Sequence, residues 1–459
     1  MEKPHSLTRE LLRFAAPVLI AQLAMMANAV IDTAMAGRLS AVDLAAVGIG
    51  AAMMGTVMMS LISVLLALTP IIAHLYGAGQ RAEVGREVHQ AVWIALALAA
   101  VTILALRHPG PFMHLAALQP AVEEKVRAYL DASAWGVPAT IALRLFSGLS
   151  TGIGRPRPVM VFNLLALGLK VPLNAVFMYG WLGMPAMGGP GAAVATAAGG
   201  WLVAGLAWGW CLKHPDYAEF HIHARLAAPD WRAIRAFLKL GLPIGLTFIA
   251  DVTAFTLMAV FIARLGPVVS GAHQIAANLT ATAFMVPLAL GNATSALAGH
   301  AIAAGDRERA RRICARAVRV GMSAAVVLSL VFWLGAPWIA ALYTTDAQVQ
   351  AAAIPLIMLV GLYHLGDALQ AVTVNALRGY KKSAVPMVIY ATLLWGPGLG
   401  GGILLGLTGT FGTARGAPGF WMAATGAMWL VAALMALYLE RVSRVKQGAT
   451  SSSRCTARS

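Results

Sequence analysis

Charged residues are scarce in this 459-residue sequence: they make up 11% of the chain, whereas 59% of the residues are hydrophobic. A soluble globular domain carries about 25% charged residues, so this scarcity excludes a soluble protein and indicates one that lies mostly in lipid. Alternating ten-residue strands are also lacking, which excludes a transmembrane β-barrel. The class that remains is an all-α integral membrane protein.

Cysteine is almost absent too. Cys211, Cys314 and Cys455 are far apart in the sequence, so their spacing fits neither a disulfide framework nor a metal site. The motifs HExxH and GxSxG are missing as well, which argues against a membrane-embedded enzyme. We therefore expect no enzymatic activity and no cofactor.

Acidic residues are fewer than basic ones, 18 against 34, and the net charge is +16. On a soluble domain this excess would suggest nucleic acid, but here the basic residues lie in short loops, so we expect no nucleic-acid partner. With the N-terminus placed inside, 26 of the 34 Lys and Arg residues fall on the inner side. The positive-inside rule then predicts cytoplasmic N- and C-termini and, in a bacterium, the inner (plasma) membrane.

Apolar stretches of about twenty residues, the length that crosses a hydrocarbon core of about 30 Å, recur along the chain. The first contains an acid and is too long for the apolar part of a signal peptide, so we interpret it as the first span. The sequence predicts a multi-pass protein with twelve transmembrane helices, at residues 14–36, 44–74, 88–107, 127–150, 158–180, 190–211, 236–264, 271–302, 317–341, 350–377, 385–408 and 418–440.

An internal repeat divides these helices into two sets of six. Alignment of the chain with itself places Pro17 on Pro243, Arg38 on Arg264 and Gly79 on Gly305 without a gap, and a single inserted position then places Gly152 on Gly379. An even number of helices separates the copies, so both have the same orientation and their pseudo-two-fold axis runs along the membrane normal. We expect two pseudo-symmetric six-helix bundles with a cavity between them.

Polar segments mark the boundaries of four regions. We predict an N-terminal lobe at 1–212, a cytoplasmic linker at 213–235, a C-terminal lobe at 236–440 and a disordered cytoplasmic tail at 441–459. Asp230 and Trp231 are predicted to begin a short interfacial helix within the linker.

Three acidic residues fall well inside the predicted spans: Asp32, Asp251 and Asp367. Each costs about 2.5 to 3.5 kcal/mol to place in the membrane, so each is expected to face the bundle interior or a water-filled cavity. A buried carboxylate can exchange a proton for sodium or for an organic cation. We therefore predict cation or proton coupling at these acids, with sodium a candidate at Asp251 and Asp367. The alternative is an internal ion pair, such as Asp32 with Lys170, that only orients helices.

Polar side chains accompany the acids of the second set. Tyr363 and Gln370 share the helical face of Asp367, four residues before it and three after it. His273 and Gln274 lie near the start of the eighth span. His273 suits a proton relay near neutral pH, and a packed, hydrogen-bonded histidine is the equal alternative.

At these residues the chain resembles the multidrug and toxic compound extrusion (MATE) family, and within it the NorM-type branch, over nearly its whole length. The resemblance is carried in order along the chain by IDTAMAG at 31–37, PLN at 172–174, GAHQ at 271–274, GDALQ at 366–370 and ALRGYK at 376–381. It implies two six-helix bundles that form a V-shaped central cavity. It also implies antiport of lipophilic cationic, drug-like compounds against protons or sodium.

The resemblance further implies roles for matching residues. Asp32 resembles the cation or proton site of the first helix, with Asn174 as its partner, and Asp367 resembles a coupling acid. Asp251 stands where NorM-type members usually carry Glu, and its shorter side chain changes the reach by one methylene. Lys170, four residues before Asn174, stands where many relatives have Asn. It either pairs with Asp32 or extends toward the outer interface.

A lipid-linked oligosaccharide flippase of the same superfamily is the alternative function. Flippases usually place several Arg and Lys side chains in the cavity to bind phosphate, whereas the second set of spans here carries acids and almost no bases. We therefore expect a secondary active multidrug exporter that works by alternating access. Its partners would be small cationic compounds, the coupling cation and the lipid bilayer, and we expect a monomer.

Overall fold

The structure is a computed structural model of the chain and describes residues 4–110, 113, 119–222, 226–408, 410 and 413–444. Within these residues the regular secondary structure is entirely helical. Twelve long helices account for most of it: α1 Pro4–Gly37, α2 Ala41–Gly77, α3 Arg81–Arg107, α4 Pro120–Gly152, α5 Arg157–Tyr179, α6 Pro190–Lys213, α7 Trp231–Ala263, α8 Pro267–Ala303, α9 Arg307–Tyr343, α10 Ala347–Gly379, α11 Ala384–Leu407 and α12 Ala417–Arg444.

Each helix contains one of the twelve predicted spans or nearly all of it. Eleven of them are long and apolar enough to cross a membrane. The remaining helix, α4, is 33 residues long and is less apolar than the other eleven because it carries charged residues, among them Asp131 and Arg144. The chain is therefore a multi-span membrane protein, as its composition indicated.

Several helices extend beyond their apolar stretches, because polar residues at the ends of a membrane helix can continue its hydrogen bonding outside the lipid. The helix α9 begins at Arg307, well before its predicted span at 317–341. The helix α12 continues to Arg444, so residues 441–444 are helical, although the sequence predicted disorder from 441. The rest of the predicted tail, 445–459, lies outside the described residues.

Two helices depart locally from α-helical geometry. In α2, residues Ser63–Ala67 form a tighter 3₁₀ turn between two α-helical parts. In α11, residues Leu394–Gly400 form a wider π-helical turn around Pro397. Proline lacks the N–H that an α-helix needs at this place, so the wide turn follows from the Gly-Pro-Gly sequence.

The internal repeat is visible in the way that equivalent helices end. The helices α2 and α8 end in the same turn, in which Gly79 and Gly305 take positive φ values of 74° and 85°. The helices α4 and α10 also end alike, with positive φ at Gly154 and at Lys381. The repeat therefore relates two copies of one scaffold, which we call the first lobe (α1–α6) and the second lobe (α7–α12).

The lobes meet at one end of the molecule and separate at the other. The end at which they meet, which we call the base, contains the start of α1 and the ends of α2, α4, α8 and α10. Near the base, α1 packs into the second lobe through Leu11 and Phe14, and α7 packs into the first lobe through Phe237 and Ile244. Toward the opposite end, each lobe has an apolar core of its own. This is the V-shaped arrangement of two bundles.

The linker between α6 and α7 packs along α3 of the first lobe. Gln90 donates to the carbonyl of Ala228 at 2.9 Å and accepts from the N–H of Asp230 at 2.7 Å. Asp230 caps α7, and its hydrogen bond from the N–H of Arg232 holds the pKa of Asp230 below its ordinary value. The short interfacial helix predicted at Asp230 is therefore the first turn of α7, because the cap is followed directly by an apolar helical sequence.

Candidate functional site

The first lobe holds a buried ion pair. Lys170 Nζ lies 2.8 Å from Asp32 Oδ2, and Asn174 Nδ2 donates to Asp32 Oδ1 at 2.8 Å. The pair joins α1 to α5, and the spacing of four residues places Lys170 and Asn174 on one face of α5. Lys170 is only 4% exposed. It therefore pairs with Asp32 and does not extend to the outer interface.

The ammonium group of Lys170 has two further oxygen partners on α6. It donates to Thr196 Oγ1 and, at 3.4 Å, to the carbonyl of Ala192. The start of α6 comes this close because Gly191 has no side chain: a Cβ there would lie 2.5 Å from the carbonyl oxygen of Phe177. Three oxygen atoms thus surround the lysine, as they would a small cation.

Sequence reasoning missed Thr196. The sequence feature that could have pointed to it is that Thr196 carries the only hydroxyl group in a span of otherwise small and apolar residues, from 190 to 212. A lone hydroxyl on such a helix is a candidate for an internal partner. Which partner it has depends on the packing of α6 against α5.

The second lobe holds Asp251 and Asp367, which lie near enough for their charges to interact. Asp251 on α7 accepts a hydrogen bond of 2.5 Å from the hydroxyl of Tyr390 on α11. Asp367 on α10 is 5% exposed, and its Oδ2 atom accepts no hydrogen bond from the described part of the chain. A buried carboxyl oxygen without a donor is costly unless it binds a proton or a cation.

A cluster of aromatic rings surrounds Tyr363, which lies one turn before Asp367 on α10. Tyr363 is fully buried and packs edge-to-face against Phe255 and Trp421, with ring centroids 6.3 and 5.8 Å apart. Trp421 Nε1 donates to His273 Nδ1 at 3.2 Å. His273 is therefore a packed, hydrogen-bonded histidine whose hydrogen, when the ring is neutral, is on Nε2.

The two glutamines of the predicted site lie in different environments. Gln370 is buried on α10, one turn after Asp367. Gln274 is exposed on α8, outside the buried set around Asp367. One residue rotates a helix by about 100°, so Gln274 points away from the direction of its buried neighbour His273.

A further ion pair, which sequence reasoning did not single out, lies at the end of the first lobe opposite the base. Asp43 is 6% exposed and accepts hydrogen bonds from Lys125 at 2.5 Å, from the hydroxyl of Ser40 at 2.6 Å and from the N–H of Gly189 at 2.7 Å. In the sequence, Asp43 could have been recognised from Ser40 three residues before it, because this spacing is typical of a helix N-cap. With three donors, Asp43 is a structural group that joins α2, α4 and α6.

These buried carboxylates therefore differ in what they can bind. Asp43 already accepts hydrogen bonds from three donors, one of them the ammonium group of Lys125, and Asp32 is neutralised by Lys170. Asp367 combines deep burial with an oxygen atom that has no donor among the described residues. This contrast makes the second lobe the candidate site for an exchangeable cation or proton.

The sequence matches the family pattern described as MatE at residues 17–176 and 243–396, one match in each lobe. It is 39% identical to a "Probable multidrug resistance protein NorM" from Chromobacterium violaceum, over 95% of this chain and 94% of that protein. It is 33% identical to a "Multidrug resistance protein MdtK" from Edwardsiella ictaluri, over 97% of both chains.

Solved structures share this fold. A eukaryotic MATE transporter, AtDTX14, superposes with a TM-score of 0.86 over 96% of this chain and 98% of that chain, at 16% identity. The Vibrio cholerae MATE transporter VcmN in its bent form gives a TM-score of 0.84 over 96% and 98% of the two chains, at 17% identity. The architecture of two packed six-helix lobes is therefore common to all of them.

Proposed function

Because this chain belongs to the MATE family, in its NorM-type branch, we propose that it exports lipophilic organic cations in exchange for protons or sodium ions. It is a multidrug efflux transporter and not an enzyme. The exchange of ions for substrate would follow alternating access, in which the lobes open in turn at the base and at the opposite end.

The observation that carries the proposal is the state of Asp367. Its carboxyl group lies deep in the second lobe, near enough to Asp251 for the two charges to interact, with one oxygen that has no hydrogen-bond donor in the described part of the chain. Two neighbouring acids in a low-dielectric interior favour the binding of a proton or a cation over two free charges. The same acids would favour cationic substrates over anionic ones.

The distribution of basic residues supports an orientation for this exchange. The base carries both described chain ends and most of the Lys and Arg residues, including Arg9, Arg157, Arg307 and Lys382. By the positive-inside rule the base would face the cytoplasm. In a bacterium the protein would then lie in the inner membrane and export toward the opposite end.

Transport in proteoliposomes tests the proposed function. With tetraphenylphosphonium as the substrate, a proton gradient and a sodium gradient are imposed separately. We expect at least one of them to drive movement of this organic cation against its own gradient. If neither ion accelerates it, and a lipid-linked oligosaccharide is moved instead, the exporter assignment is wrong.

Substitution of Asp251 tests the second acid of the site. We expect Asp251→Glu to remain active, because it keeps the charge, and Asp251→Ala to reduce coupled efflux to background. Tyr390→Phe removes only the hydroxyl donor, so it should shift the half-saturating ion concentration by about tenfold. Ion-titrated transport measures all three variants, and normal pumping by Asp251→Ala would make this acid purely structural.

A further inference from the structure

Two histidines occupy equivalent places in the two lobes. His74 lies in the last turn of α2 and His300 in the last turn of α8, and the alignment that places Gly79 on Gly305 also places His74 on His300. Each helix then ends in the same way, with the carbonyl of the histidine accepting from the N–H four residues later at 3.0 Å. The two side chains therefore start from matching backbone positions at the base.

Each histidine reaches into the opposite lobe. His74 Nε2 lies 2.7 Å from the carbonyl oxygen of Gly379 in the second lobe, and His300 Nε2 lies 2.6 Å from that of Gly152 in the first. A carbonyl oxygen only accepts, so Nε2 carries the hydrogen in each ring and donates it. The result is a reciprocal pair of hydrogen bonds across the interface between the lobes.

The acceptors are also equivalent in the repeat. Gly152 ends α4 and Gly379 ends α10, and the carbonyl of a last helical residue has no partner within its own helix. The negative end of the helix dipole strengthens such a carbonyl as an acceptor. The histidines thus supply a donor that each helix lacks, and they supply it from the other lobe.

The backbones are close enough to fix this geometry. A Cβ on Gly77 would lie 2.5 Å from the carbonyl oxygen of His300, and a Cβ on Gly299 would lie 3.1 Å from Cβ of Ala73. The ends of α2 and α8 therefore cross at contact distance. A movement that opens the base must separate these helices and break both hydrogen bonds.

We propose that His74 and His300 are positioning residues of the transport cycle, and that their hydrogen bonds to Gly379 and Gly152 hold the base closed. This rests on the proposed function, since alternating access requires the base to open and close. The two bonds are related by the repeat, so each should contribute equally, and loss of either one should favour the open base by about fivefold.

Distance measurement by double electron–electron resonance tests the proposal without substrate or ion gradient. Spin labels at Ala82 and Glu308, which are equivalent in the repeat and are exposed in the first turns of α3 and α9, report the separation of the lobes at the base, after the native cysteines are replaced by alanine. We compare the protein with His74→Leu, His300→Leu and the double variant. The populations at long distance should rise by about fivefold in each single variant and further in the double one.

Two sets of variants separate the hydrogen bonds from general effects. His74→Gln and His300→Gln keep a side-chain N–H donor and should restore most of the short-distance population. His89→Leu is the matched control, because His89 Nε2 bonds to the carbonyl of Ile222 at 3.1 Å without joining the lobes. Size-exclusion chromatography confirms that each variant is folded.

If the leucine variants give the distance distribution of the parent protein, or one no different from His89→Leu, the proposal is wrong. The distances are independent of what is transported. A shift in distances together with failure of ion-driven transport would therefore overturn the proposed function and leave the role of the histidines intact.

Discussion

Asp367→Asn is expected to abolish coupled efflux while the protein still folds and inserts. Asparagine has nearly the same volume as aspartate, so the packing around the site, including Tyr363, should persist. The amide of asparagine cannot ionise, however. One of the two carboxyl oxygens of Asp367 is replaced by an NH₂ group, which donates hydrogen bonds and cannot accept them. The site would lose its ability to exchange a proton or cation, and ion-driven transport should fall to the level of empty liposomes.

Two other acids provide controls for this result. Asp131→Asn changes an exposed carboxylate on α4 and should leave transport unchanged. Asp43→Asn should lower the melting temperature, because a buried donor that loses its partner costs about 1 to 3 kcal/mol, but it should leave the ion dependence alone. Parental rates in purified, monodisperse Asp367→Asn would remove Asp367 from the coupling mechanism.

The architecture could be predicted from the sequence because two strong signals agree. Apolar length fixes the number of membrane helices, and the aligned pairs Gly79 with Gly305 and Gly152 with Gly379 reveal the repeat. The ends of the helices were harder to predict. Residues such as Arg307 and Arg444 are polar, so hydropathy places them outside the spans, although the backbone hydrogen bonding of α9 and α12 includes them.

Only part of the site could be predicted from the sequence, namely the residues that the cost of burying a charge or the spacing along one helix identifies. The cost of burying charge singled out Asp32, Asp251 and Asp367, and a four-residue spacing placed Lys170 beside Asn174. Contacts between helices distant in sequence leave no such local pattern. The hydrogen bond from Tyr390 to Asp251 spans 139 residues and depends on how α11 packs against α7.

The internal repeat includes the helices of the two lobes but not the buried acids Asp32 and Asp367. The alignment of the two lobes places Asp32 on Met258 and Asp367 on Thr140. The hydrogen bonds of His74 and His300, in contrast, are duplicated. Both lobes thus share the parts that open and close the base, whereas each has its own ionisable groups. The lobes should therefore differ in the ions that they bind.

Lys170→Asn is expected to create or strengthen stimulation of transport by sodium. At 2.8 Å and an effective dielectric of ~20, the attraction between Lys170 and Asp32 is about 6 kcal/mol before desolvation is counted. The ammonium also contacts the oxygens of Thr196 and Ala192. It thus occupies the place, and uses the oxygen atoms, that a sodium ion would require, so the first lobe of the natural protein should not bind sodium.

Removing the lysine leaves those oxygen atoms available. A sodium ion in this place could bind oxygen atoms of Asp32, Thr196 and the carbonyl of Ala192. A fourth oxygen would come from Asn174 Oδ1, which accepts no hydrogen bond from the described residues. Oxygen ligands of this kind suit a hard cation. In the natural protein, coupling through Asp32 would then run on protons, with the pair to Lys170 breaking when Asp32 is protonated.

Transport by Lys170→Asn, measured over a series of sodium concentrations at constant pH and ionic strength, checks this expectation. The double variant Lys170→Asn with Asp32→Asn is the decisive comparison, because sodium stimulation gained in the first should be lost in the second. Lys170→Met separates the effect of removing the charge from the effect of adding an oxygen ligand. It removes the ammonium group without adding an amide oxygen, so the sodium stimulation that it gains should be smaller than that of Lys170→Asn. An ion profile in Lys170→Asn that is unchanged from the parent protein would show that Lys170 does not exclude sodium, and that its pair with Asp32 serves only to hold α1 against α5.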